Sequence, residues 1–298
     1  MKVVVFGAGA IGSFIGGMLS KNNDVVLIGR KPHIQSIKKS GLIIKGKTRL
    51  NIKIRAEENI ESIDFLPDLL ILTVKSFDTE NAIKEAKKAI GKNTLVLSLQ
   101  NGLDNVEKIR KYVPEKQIIV GITTHGCIFS EPGKIIHTGI GKTIIGKLTE
   151  NELQHVVDIV NIFNKSEIKT YFGKDVLREI WVKGIINSSI NPLTSFFQCK
   201  NGYLLKNPIL GKNVEKICEE STNVANANGF NLSINDMIDK TKEVIRDTSE
   251  NYSSMFQSIQ QDKETEIDSI NGKIVELGEK NNLDVSLNKL LVYLIKNL

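Results

Sequence analysis

The stretch that most constrains the fold lies at residues 3–28. Val3 to Phe6 is a short apolar run, followed at once by Gly7-Ala8-Gly9-Ala10-Ile11-Gly12. An apolar stripe at helical spacing comes next (Ile11, Phe14, Ile15, Met18, Leu19), and then a second apolar run, Val25 to Ile28. Strand, GxGxxG, helix, strand is the setting in which three glycines hold a dinucleotide. Gly7 permits a tight turn, Gly9 lets a pyrophosphate approach the backbone, and Gly12 lets helix and strand pack closely. The helix N-terminus then offers unbonded N–H groups and partial positive charge to the phosphates.

The end of the second strand bears on the choice of cofactor. A carboxylate there would accept from a ribose 2′-hydroxyl and disfavour a 2′-phosphate. The chain has Gly29-Arg30-Lys31 instead, two cations and no acid, which favours NADP(H) over NAD(H) while leaving NADH use open.

The alternation of strand and helix continues to about residue 172. A short helix is expected near His33 to Lys39, then a hairpin from Leu42 to Ile54 around Gly46. Leu69 to Val74 is a continuous apolar run, as in a parallel strand buried on both faces, with Lys75 at its carboxyl end. A helix over Thr79 to Ile90 leads to a strand over Leu95 to Leu99, which ends in Gln100-Asn101-Gly102; a further strand, Ile118 to Thr123, ends in Thr124-His125-Gly126-Cys127. A histidine after a strand is more often a local hydrogen-bonding group than a general acid or base, and His125 is read so. The glycine-rich stretch Gly133 to Gly146 is expected to add one or two antiparallel strands closing the sheet edge. A helix from Asn151 to Phe163 and a strand from Ile168 to Phe172 complete this half.

From Asp175 onward strand periodicity is replaced by helical stripes, over Val176 to Ser195, Val214 to Asn228, Ile234 to Asp247, Ser253 to Asn281 and Leu287 to Leu298. Two domains are therefore expected, 1–172 for the dinucleotide and 173–298, all helical, for a substrate. In the first of these helices Lys183, Asn187 and Asn191 stand at i, i+4 and i+8 on one face. Such a row is either a solvated surface or a holder for a small anionic, oxygen-rich ligand to which the ammonium gives a proton. Gln198-Cys199-Lys200-Asn201-Gly202 follows with another amide. Ser254 and Glu266 are twelve residues apart, so they share a face if the chain between them stays helical. Taken alone, Ser254 reads equally as an N-cap and Glu266 as a solvated carboxylate.

Composition narrows the classes. With 40 Lys and Arg against 34 Asp and Glu, the net charge is +6 and scattered, without the basic, aromatic-studded run that nucleic acid calls for. Three separated cysteines (Cys127, Cys199, Cys218) and four histidines without ligand spacing argue against a disulfide framework or a metal site. No apolar run nears the ~20 residues of a membrane span, and the chain opens directly on a strand, so a cytoplasmic protein is expected.

Taken in order, several motifs make the chain similar to the ketopantoate reductase (2-dehydropantoate 2-reductase) family from end to end. They are G-A-G-A-I-G, V-K at 74–75, Q-N-G at 100–102, T-T-H at 123–125, W-x-K-x-x-x-N-x-x-x-N-P-L-T at 181–194, C-x-N-G at 199–202, and S-S-M-x-Q with T-E-I-D-x-I-N-G between 253 and 272. The resemblance implies an α/β fold: an N-terminal Rossmann-type dinucleotide-binding domain and a C-terminal all-helical domain like that of 6-phosphogluconate dehydrogenase. It implies NADPH-dependent reduction of 2-dehydropantoate to (R)-pantoate, a step of pantothenate and coenzyme A biosynthesis. Lys183 matches the proton donor. Asn187, Asn191 and Asn201 match substrate-holding amides, and Asn251, Tyr252, Ser253 and Ser254 match the loop at the substrate carboxylate. Gly7, Ala8, Gly9, Ala10, Ile11, Gly12, Arg30, Lys75, Asn101 and Cys127 match cofactor contacts, Asn101 also lying near the substrate. Glu266 matches a carboxylate reaching cofactor or substrate. One departure is Ser258, where the family has Asp after S-S-M-x-Q. The partner implied is a small molecule; a homodimer is compatible. Competing readings are a reductase of another 2-keto acid, a nucleotide-sensing regulator without turnover and, least favoured, a metal-dependent enzyme.

Overall fold

Alternating apolar runs in residues 1–148 and 153–298, the residues described in this computed structural model, build a mixed α/β unit and then a helical one. Strand β1 (Lys2–Phe6) runs into α1 (Ala10–Leu19), β2 (Asp24–Ile28), α2 (Lys31–Ser40), β3 (Leu42–Gly46), β4 (Leu50–Ile52), β5 (Arg55–Glu57) and β6 (Leu69–Leu72). Next come α3 (Thr79–Ala86), β7 (Leu95–Ser98), α4 (Asn105–Arg110), β8 (Ile118–Thr123), β9 (Gly126–Glu131), β10 (Lys134–Gly139), β11 (Thr143–Lys147), α5 (Leu153–Lys165) and β12 (Thr170–Phe172).

Eight of these strands form one sheet in the order β12-β11-β8-β7-β6-β1-β2-β5. From β5 to β8 the pairs are all parallel, β11 returns antiparallel to β8, and β12 runs parallel to β11. The chain leaves β1 toward β2 on one side and reaches β6 on the other, so the strand order reverses at β1, the place where open α/β sheets bind ligands. Every side chain of β6 is buried, as expected for a central parallel strand. Phe14, Ile15 and Leu19 of α1 join Val3, Val5, Leu27, Leu69 and Ile71 in the core beneath the sheet.

The glycine-rich middle differs from its expected place. Lys134 to Gly139 does not close the main sheet. It pairs with β9 and β3 in a separate four-stranded sheet, β4-β3-β10-β9, whose strands β3, β9 and β10 pack on α1. Only β11 joins the main sheet, and β12, not β11, is its edge. The expected start of the helix at Asn151 lies outside the described residues.

The helical unit is built from α6 (Val176–Phe196) from Ile180 onward, α7 (Tyr203–Lys206), α8 (Pro208–Ala227), α9 (Ile234–Asp247), α10 (Ser254–Ile259), α11 (Lys273–Lys280) and α12 (Ser286–Lys296). The compact units are residues 1–100 with 105–179, and 101–104 with 180–298. Thus the turn Asn101–Asp104, which follows a sheet strand in sequence, belongs with the helices. The single helix expected over Ser253 to Asn281 is interrupted. Helix α10 stops at Ile259, Asp262 takes φ +49°, and a π-turn over Asp268–Gly272 precedes α11. A core of Ile185, Ile190, Val214, Ile217, Val224, Ile245 and Ile274 fills this unit. No helix among the described residues is long and apolar enough to cross a membrane.

Candidate active site

The sheet unit carries a glycine-turn cradle at the start of α1. Gly7 sits at φ +108°, and a Cβ there would meet the Val74 nitrogen at 2.6 Å. Its N–H and that of Ala8 both donate to the Ile28 carbonyl, at 2.9 and 2.8 Å, so the turn is tied to the neighbouring strand. Gly9 caps α1 without any side-chain bond, and the first i→i−4 bond is from Ser13 to Gly9. The amides of Ala10, Ile11 and Gly12 therefore precede the helical ladder and are the donors an anion would take. A Cβ on Gly9 would meet nothing nearer than 3.9 Å, whereas one on Gly12 would strike the Gly7 carbonyl and the Thr73 hydroxyl. Gly12 thus serves the turn itself. Thr73, absent from the sequence reading, clamps that turn by donating to Gly7 O at 2.9 Å. These features fit a dinucleotide pyrophosphate.

Around the cradle, Lys75 opens the short turn after β6, and the Gln100 amide, buried, donates to Val74 O and Thr79 Oγ1 at 2.9 and 2.7 Å. Gln100 therefore holds strand ends together, a structural use of its motif. Arg30 is the N-cap of α2 and largely exposed, with Asp78 Oδ2 3.9 Å from its guanidinium. That acid, brought near by folding, was not visible from residues 29–31. Cys127 lies on β9 opposite His137, and burial pushes its thiol up to about 12, so it offers backbone rather than a nucleophile. His125 is buried; its Nδ1 lies 3.1 Å from His137 Nε2 and accepts from Gly141 N at 3.2 Å, in keeping with a local hydrogen-bonding role.

The helical unit carries the polar row. Lys183 and Asn187 are half-buried on α6, and Asn191 is buried. Ile185, Ile186, Ile190 and Leu193 of the same helix are in the core. Burial pushes the Lys183 ammonium down to about 8, with the Glu266 carboxylate opposing that fall. Glu266 is itself buried, and Asn101 Nδ2 donates to its Oε2 at 3.4 Å. Lys183, Glu266 and Asn101 are thereby brought together.

A second group forms around the loop before α10. Asn201 N donates to Asn251 O at 3.0 Å, and the Asn201 side chain donates to Thr248 Oγ1 at 2.9 Å. Ser253 is buried and is the N-cap of α10, accepting from Phe256 N at 3.2 Å, so the cap is not Ser254. Asn251, Tyr252 and Ser254 are exposed. Ser254 and Glu266 share no helix face, because the chain between them leaves the helix after Ile259. Ser258 donates to Ser254 O at 3.1 Å, so the hydroxyl replacing the family acid closes a helical turn. Thr194, three residues beyond Asn191, lies 2.8 Å from the Ser253 hydroxyl and joins the two groups.

Comparison with known proteins identifies the family and the fold. Family models described as ketopantoate reductase PanE/ApbA and its C-terminal domain match residues 3–150 and 175–298. A 2-dehydropantoate 2-reductase of Pyrococcus abyssi is 39% identical over 297 residues, 99% of this chain and 97% of the relative. Among solved structures, a D-mandelate dehydrogenase with NADH and anilino(oxo)acetate superposes with TM-score 0.95 at 28% identity, covering 100% of this chain and 98% of the other. A PanE/ApbA family ketopantoate reductase from Ralstonia eutropha gives 0.92 at 29% identity, with the same coverage. The two family matches, at residues 3–150 and 175–298, and a relative 39% identical over nearly the whole chain place the chain in the ketopantoate reductase PanE/ApbA family.

Proposed function

We propose that this protein reduces 2-dehydropantoate to (R)-pantoate with NADPH, in the formation of pantothenate and coenzyme A. The observation that carries the reading is the half-buried Lys183 beside the buried Glu266, in a chain similar to 2-dehydropantoate 2-reductases over nearly its whole length. The nicotinamide, when bound, supplies the hydride to the keto carbon. Lys183 offsets the negative charge that grows on the keto oxygen and then gives it a proton. Glu266 keeps the ammonium charged against the pull of burial. Asn187, Asn191 and Asn201 hold the substrate's hydroxyl and carboxylate with neutral groups, so no second cation competes with Lys183. The 251–254 loop faces the carboxylate with the exposed Ser254 hydroxyl. The cradle at Gly7 to Gly12 takes the pyrophosphate, Arg30 reads the 2′-phosphate, and Lys75, Asn101 and the Cys127 backbone complete the cofactor contacts. In this reading residues 1–172 serve NADP(H) and residues 173–298 the substrate.

A second reading is supported by the likeness to D-mandelate dehydrogenase: reduction of a 2-keto acid with an aromatic side chain. Following NADPH oxidation with ketopantoate, phenylglyoxylate and a few other 2-keto acids, beside NADH, separates the two. Preference for phenylglyoxylate would replace the substrate, and absence of oxidation with all of them would sink the reductase reading.

A further inference from the structure

The Glu266 carboxylate sits at the entrance to the π-turn Asp268–Gly272, in which Gly272 N reaches back to Ile267 O at 2.9 Å. Single π-turns within helical segments are rare and need a local cause. One hydrogen-bond partner of this turn is on α6. Pro192 lies inside that helix and has no N–H, so the Ser188 carbonyl, four residues earlier, loses its helical donor. Asn271, with no solvent exposure, donates its side-chain N–H to this Ser188 carbonyl at 3.1 Å and to Asn288 Oδ1 at 3.0 Å. Ser188 is five residues beyond Lys183 on α6, about 1.4 turns, and Asn271 is five residues beyond Glu266. One buried side chain therefore ties the segment that carries the carboxylate to the helix that carries the ammonium.

Further bonds hold the turn on its other side: Leu103 N donates to Ser269 O at 2.8 Å, and Ser269 Oγ to Asp104 Oδ2 at 3.2 Å. The other charges on this segment are engaged elsewhere. Asp268 pairs with Lys296 of α12 at 2.7 Å and Lys273 with Glu276 at 2.8 Å, while Glu220 of α8 accepts from Asn288 at 2.9 Å. Asn101, which faces Glu266, is neutral.

We propose that Asn271 is a positioning residue: by filling the carbonyl that Pro192 leaves open, it sets the distance of Glu266 from Lys183. This rests on the reading of Lys183 and Glu266 as the working pair. Loss of the tether lets the carboxylate drift, and burial then favours the neutral amine.

The test is the titration of Lys183 in cofactor-free protein, read by NMR of ε-¹³C-labelled lysine and assigned by the signal lost in Lys183→Arg. In Asn271→Ala, and in the milder Asn271→Ser, the midpoint is expected to fall by about one pH unit, a tenfold change in the ratio of charged to neutral amine. The alkaline limb of any reductase activity should move with it. Ser221→Ala is the control: Ser221 belongs to the same buried network through its hydrogen bonds to Ser188 and Asn288, which do not include Asn271 or Glu266. It should lower the melting temperature and leave the midpoint in place. An unmoved midpoint in folded Asn271→Ser, or an equal shift in Ser221→Ala, overturns the proposal. Failure of the unaltered protein to reduce any 2-keto acid would overturn the proposed activity instead, and the NMR titration decides the Asn271 tether independently.

Discussion

The hydroxyl of Thr194 lies 2.8 Å from that of Ser253, both buried, so the helix bearing Asn191 and the cap of α10 meet through two side chains. A single such bond is worth about 1 kcal/mol, or about fivefold in an equilibrium. Thr194→Val, which keeps the shape, should raise KM for the keto acid about fivefold and leave kcat little changed, and Thr194→Ser should restore it. Steady-state kinetics with the keto acid varied checks this; a KM equal to that of the unaltered protein would detach Thr194 from substrate binding.

Lys183 is the group on which turnover should depend most. Lys183→Ala is expected to lower kcat by about 10²–10⁴-fold, the usual contribution of a positioned proton donor. The reaction needs the charged form, and burial holds the ammonium down to about 8, so the rate of reduction should be flat at lower pH and fall as pH rises through about 8. A pH–rate profile that stays level to pH 10, or near-normal kcat in the alanine variant, removes Lys183 from the chemistry.

Gly9 and Gly12 should fail differently when changed to alanine. A Cβ at Gly12 meets the Gly7 carbonyl and the Thr73 hydroxyl, and such overpacking costs about 1–3 kcal/mol. A Cβ at Gly9 meets nothing close in the free protein. Gly9→Ala should therefore melt like the unaltered chain yet bind NADPH poorly, whereas Gly12→Ala should lose stability as well. Melting curves with and without NADPH separate the outcomes.

Arg30→Ala should weaken NADPH far more than NADH, because the guanidinium at the start of α2 is the expected reader of the 2′-phosphate. Equal losses for both cofactors, in KM or by titration, would mean that the phosphate is not read there.

Two histidines should make the sheet unit sensitive to acid. Burial holds His33 and His125 down to about 4, against an ordinary value of 6.5. Between those values the unfolded chain takes up protons that the folded chain refuses. Their contribution to stability is complete above about pH 6.5 and is lost as pH falls toward 4. Melting temperature should drop between pH 7 and pH 5, less steeply in His33→Asn; a slope identical in the two proteins would place the sensitivity elsewhere.

Most of the sheet unit could be read from the chain because its signals are local. A parallel strand announces itself by an unbroken apolar run, as at Leu69 to Leu72, and the glycine turn by spacing alone. What escaped was set at long range. Strand β10 pairs with β3, some ninety residues earlier, rather than with the main sheet, and no periodicity within Lys134 to Gly139 encodes that choice. Thr73 and Asp78 reach the candidate cofactor residues only through folding. The break after Ile259 was missed because apolar spacing carries across an interruption, so Ser254 and Glu266 looked like one face when they are not. Lys183, Asn187 and Asn191 could be grouped in advance because a continuous helix fixes their spacing.

Residues 101–104 give the chain an unusual bookkeeping of its halves. The backbone passes between the two compact units at 100/101, 104/105 and 179/180, so one scission near residue 180 does not separate them. An isolated sheet fragment would keep Asn101 to Asp104 but lose Ser269, the anchor of Leu103 and Asp104. A chimera that borrows the helices of a relative should therefore borrow the relative's 101–104 turn too, since lock and key for that turn are inherited together.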